Sequence, residues 1–195
     1  MALTPSTMLS LGTQASDFTL PDVTSGKSIS LKNFSGKKAI LVMFISVHCP
    51  YVKHIRQELS KLSRDYQNKD IAIIAVSSNN VEKYPDDSPE NLKKMAKELN
   101  LTFPVCFDED QKVAQEYMAA CTPDFFLFDQ NQKLVYRGQL DDSRPDSGKP
   151  VTGKDLRAAM DAVLSGKLVD SNQKPSMGCN IKWKQGNEPD YFKAH

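Results

Sequence analysis

The chain has 195 residues, with 25 Lys and Arg against 24 Asp and Glu. That balance gives no electrostatic reason to expect nucleic acid or an anionic membrane as partner, and no apolar run approaches the ~20 residues of a membrane span. Four cysteines, at 49, 106, 121 and 179, form no C-x-x-C, which excludes a zinc knuckle and a contiguous dithiol motif, and their spacing is unlike a secreted disulfide scaffold. The N-terminus MALTPSTMLSLG lacks a basic segment followed by an apolar one, so a cytoplasmic location is expected.

Taken in order, residues 1–13 read as an irregular lead-in, and FTLPDVTSGKSISL as two short strands around Ser25-Gly26. Ala39 to Ile45 is an unbroken apolar run that suits a strand buried on both faces. Pro50 then fits the first turn of a helix in which Val52, Ile55, Leu59, Leu62 and Tyr66 form one apolar stripe. IAIIAVSS (71–78) is a second buried strand, and Ser88-Pro89 opens a second helix bearing Leu92, Met95, Ala96 and Leu99. LTFPVCF (101–107) predicts a short strand, and Asp110 caps a short helix running through Met118. FFLF (125–128) and KLVYRG (133–138) predict a hairpin, and after a long polar loop Thr152 caps a last helix, with Asp155 closing a loose capping box. In the tail, CNIKWK alternates apolar Ile181 and Trp183 with lysines, as a strand laid along a surface does. The order βαβαβαββα predicts an α/β sandwich with parallel central strands and one antiparallel hairpin, over a domain at 14–166 followed by a tail at 167–195 packed on it.

Cys49 falls at the junction of the first buried strand and its helix. Unsatisfied N–H groups and the helix dipole favour a thiolate there, the reactive form of cysteine. His48, Lys53, His54 and Arg56 are close in sequence and push the same way. A metal site of His48, His54 and Cys49 is a weaker reading, because the helix start splays the three apart, and neither metal nor cofactor is expected.

Strand–Cys–Pro–helix followed by Thr122-Pro123 before a hairpin resembles the thioredoxin-like superfamily, in its alkyl hydroperoxide reductase and thiol-specific antioxidant (peroxiredoxin-like) branch. HCPYVKH, CTPDFFLFD and GCNIKW further resemble a bacterial subgroup of poorly defined function. The resemblance implies a three-layer α/β/α sandwich with a central mixed sheet, an N-terminal hairpin and an extended tail. It implies that Cys49 is the nucleophile and that Pro123 is cis, with Pro50 and Thr122 beside the substrate and His48 within reach of it. Ser46 matches the peroxidase position that holds a peroxide. The pattern is broken at Val52, where thioredoxins carry their second cysteine, and at Pro123, where peroxidases place an Arg.

A second thiol must then come from elsewhere, from Cys121 near Pro123, from Cys179 in the tail or from an outside molecule, with Cys106 a core residue. Asp141, Asp142 and Arg144, on the loop after Gly138, are further candidates for a substrate cleft. Two functions remain open. One is a thiol oxidoreductase acting on a protein or small-molecule disulfide or a peroxide, reduced by an external thiol such as a thioredoxin or glutathione. The other is a non-catalytic redox-sensing or protein-binding module.

Overall fold

The computed structural model of the chain describes residues 3–192. Its strands are β1 (Leu3–Pro5), β2 (Thr19–Pro21), β3 (Ser28–Ser30), β4 (Ala39–Phe44), β5 (Ile71–Ser77), β6 (Val105–Phe107), β7 (Cys121–Thr122), β8 (Asp124–Asp129), β9 (Leu134–Gly138) and β10 (Met177–Asn180). Its helices are α1 (Pro50–Tyr66), α2 (Pro89–Glu98), α3 (Lys112–Glu116) and α4 (Lys154–Leu164).

The main sheet runs β6-β5-β4-β8-β9, with β4, β5 and β6 parallel and β8 and β9 antiparallel to their neighbours. Central β4 is apolar throughout because it is covered twice. Leu41 and Met43 face one core with Val52, Leu59, Met95 and Leu156. Ile40, Val42 and Phe44 face the other, with Phe18, Tyr117, Phe126 and Trp183. Helices α1, α2 and α4 build the first face, while short α3, the β2–β3 hairpin and part of the tail build the second. The predicted α/β sandwich with a mixed sheet is the observed architecture.

Several local expectations are corrected. The lead-in is not irregular throughout. β1 pairs with β10, Leu3 opposite Cys179, and β10 pairs in turn with β7 in a separate small sheet; residues 1 and 2 lie outside the described residues. The tail strand ends at Asn180, and Ile181 and Trp183 are buried in the second core, not laid along a surface. Residues 193–195 of the tail lie outside the described residues.

Helix α3 ends at Glu116; Asp110 accepts from its first N–H, that of Lys112, and also pairs with Lys112 Nζ, while the Asp108 carboxylate accepts from Val113 N and Ala114 N. Gly153, in the left-handed region at φ 66°, precedes α4 where Thr152 was expected to cap it. The Thr152 and Gly153 amides both donate to Asp141, and Asp155 accepts from Gln139 Nε2, so no capping box forms. Strand β6 begins at Val105, immediately after Pro104, which lacks an N–H for the ladder.

Candidate functional site

Strand β4 delivers Ser46, Val47 and His48 to one edge of the sheet, and Cys49 is the residue before Pro50 opens α1. Cys49 is fully buried. Its Sγ lies 3.1 Å from the Thr122 carbonyl oxygen and 3.0 Å from Cys179 Sγ, and none of the four cysteines is joined in a disulfide. The Thr122–Pro123 bond is cis, as expected from the resemblance.

Cys179 is brought there by pairing. β10 lies antiparallel to β7 with Cys179 opposite Thr122 and Asn180 opposite Cys121. Contact this close needs a residue without Cβ, and Gly178 supplies it. A Cβ on Gly178 would overlap the Thr122 carbonyl oxygen and lie 2.7 Å from its carbon.

The pair shares its protons unequally. Hydrogen bonding from the Cys179 thiol holds Cys49 down at about 5, overcoming its burial, with the Thr122 side chain and the Val52 amide of α1 assisting. Cys179 is driven far above an ordinary thiol, first by that same hydrogen bond and then by burial. The arrangement is one thiolate, Cys49, beside one protonated thiol.

Cys121, the other proposed partner, turns its Sγ toward the Pro123 carbonyl, at 3.6 Å, and burial raises it well above an ordinary thiol. Cys106 is a core residue pushed up by burial to about 12. Ser46 Oγ accepts from Cys49 N at 3.3 Å and lies 3.3 Å from Thr122 Oγ1, so it ties strand, nucleophile and cis-proline loop together.

The two histidines take separate partners and do not converge with Cys49 on one point. His48 Nδ1 lies 2.6 Å from Asp87 Oδ2, and this hydrogen bond raises its pKa against the opposing effect of burial; its ring stacks on Tyr84. His54 hydrogen-bonds Ser143. The loop after β9 does reach this side of the molecule, and Tyr51, His54, Pro123 and Arg144 border a cavity of about 20 Å³, room for about one water. Asp141 spends its carboxylate on the amides of Ser143, Thr152 and Gly153, and half-buried Asp142 pairs with Lys149 and Lys154.

Sequence reasoning missed Asp87, which is fully buried and accepts from Val47 N at 2.6 Å and His48 N at 3.2 Å as well as from His48 Nδ1. It sits in a polar loop with no periodic pattern to mark it. It also missed Gly178, whose need is visible only once β10 is laid on β7.

A conserved protein from Geobacillus kaustophilus has a solved structure that is 52% identical, with a TM-score of 0.92 over 94% of this chain and 97% of its own. A Sinorhizobium meliloti protein superposes equally well, at 49% identity over 94% of this chain and all of its own. The thiol-disulfide oxidoreductase ResA of Bacillus cereus is 28% identical over 127 residues, 65% of this chain and 68% of its own. Residues 11–137 match the model of the AhpC/TSA family, and the chain belongs to that family.

Proposed function

We propose that this chain is a thiol oxidoreductase in which Cys49 is the nucleophile and Cys179 the resolving thiol. The 3.0 Å separation of their sulfurs carries this reading. A disulfide bond is about 2.05 Å long, so a movement of about 1 Å closes it.

With a disulfide substrate, the Cys49 thiolate attacks one sulfur, and the other leaves as a thiolate that takes a proton. Cys179, losing its proton, then attacks Cys49 Sγ, the substrate's remaining sulfur departs as a thiol, and a Cys49–Cys179 disulfide is left. The high pKa of Cys179 does not block this step, because its leading cause is the partnership with Cys49, which ends once Cys49 is oxidised. Two electrons from an external thiol, of the thioredoxin or glutathione class, restore the pair.

A disulfide is favoured over a peroxide by the charges around the thiol. The Arg56 guanidinium donates to Val47 O and that of Arg144 to Asp141 O, Ser143 O and Gln139, so neither is committed to polarising a peroxide beside Cys49. The name of ResA points the same way. The cytoplasmic setting, and the division into a domain at 14–166 with the segment 167–195 packed on it, are kept as parts of this proposal.

The complete burial of Cys49 favours a second reading, a redox-sensing module whose tail strand shifts on oxidation. Turnover separates the two. With a low-molecular-weight disulfide alone, wild type releases two equivalents of thiol and Cys179→Ser only one; with excess external thiol added, wild type turns over and Cys49→Ser is inactive. Equal slow rates for wild type and Cys49→Ser contradict the proposal.

A further inference from the structure

Neither cysteine is held in place by its own strand alone; one polar chain braces both. Asp87, between β5 and α2, is fully buried and receives four hydrogen bonds. Three come from the turn immediately before Cys49: Val47 N, His48 N and His48 Nδ1. The fourth is Asn79 Nδ2, at 2.7 Å. Asn79, itself buried, uses its other end on the tail, where its Oδ1 accepts from Lys182 N at 2.8 Å. Lys182 lies three residues beyond Cys179, and its carbonyl is held too, by Asn80 N at 2.8 Å and Gln111 Nε2 at 2.9 Å.

From these contacts we propose that Asp87 and Asn79 are positioning residues for the Cys49–Cys179 pair. Linked to each other, they hold the turn before Cys49 and the tail after Cys179, and so set the tendency of the pair to form a disulfide. Neither residue is hydrogen-bonded to sulfur. Asp87 fixes where the chain turns into Cys49, and Asn79 fixes where the tail must lie relative to that turn. A carboxylate with both oxygens doubly engaged and a carboxamide bonded at both ends have little freedom to reorient. Effective concentration between thiols depends steeply on such fixing.

This inference rests on the pairing in the proposed function and is tested on the full chain with glutathione as the probe. Two protein thiols and one oxidised glutathione give the Cys49–Cys179 disulfide and two reduced glutathiones. Its equilibrium constant is read by acid quenching, alkylation and mass spectrometry across a series of glutathione ratios. Asn79→Ala and Asp87→Asn are each expected to lower the constant at least about tenfold, equivalent to ~1.4 kcal/mol. The double variant is expected to lie close to the lower single variant, because both substitutions cut one path. Cys106 and Cys121 staying inaccessible to the alkylating reagent certifies the native fold. Should Asn79→Ala fail that check, the near-isosteric Asp87→Asn carries the test.

Wild type failing to form the disulfide overturns the proposed function itself. Wild type forming it while both variants stay within about twofold, or while their effects simply add, overturns this inference alone.

Discussion

Gly178 presses its backbone against the carbonyl of Thr122 so closely that no side chain fits between them. That contact seats β10 on β7 and lays Cys179 over Cys49. Gly178→Ala must therefore lift the strand, since the obstacle is backbone and cannot rotate away. The expected result is a rise of about tenfold or more in the alkylation rate of Cys49, with a stability loss of ~1–3 kcal/mol. Unchanged alkylation, followed by peptide mass spectrometry, would show that the strand does not cover the thiol.

The low pKa of Cys49 owes most to Cys179. Removing that donor in Cys179→Ala leaves burial, which favours the neutral thiol, less opposed. The ultraviolet thiolate titration of Cys49 is expected to begin from a midpoint of about 5 in the wild type and to move up by about one unit or more in the variant. Wild-type reactivity accordingly holds from neutral pH downward and fades near pH 5, while the variant loses reactivity well before that. A midpoint that stays put would remove Cys179 from the account of the thiolate.

Asp124, directly after the cis-proline, is fully buried with Oδ1 unpartnered, and burial pushes its carboxyl up to about 7. A carboxyl raised in the folded state contributes stability in full below its unfolded value near 4, and loses it as pH rises through about 7. Asp124→Asn has no such loss. Urea unfolding should show the variant gaining on wild type between pH 5 and pH 8, by up to ~3 kcal/mol. A difference that is flat with pH would mean the carboxyl titrates normally.

The half of the site carried by Cys49 was legible because it is local. An apolar run, a Cys and a Pro opening a periodic helix fix where that thiol lies, and the family resemblance placed Thr122 and Pro123 beside it. The tail was less legible for a physical reason. β1 and β10 are 3 and 4 residues long, and Leu3 pairs with Cys179 across almost the whole chain, so neither strand carries enough pattern to announce its partner. Ile181 and Trp183 did alternate with lysines, but the alternation came from two residues entering the core after the strand had ended. Asp87 and Asn79 looked like solvated loop residues, and only the fold shows that the loop after β5 returns beneath the turn before Cys49.

The central claim is that residues 49 and 179 form one redox pair. Peptide mapping after oxidation by a limiting amount of diamide tests it most directly. The account predicts a single crosslink joining the peptides that carry Cys49 and Cys179, with Cys106 and Cys121 still thiols and no crosslink in Cys49→Ser or Cys179→Ser. A wild-type chain that instead joins Cys49 to Cys121, or to a second molecule, while Cys179 remains a thiol would contradict it.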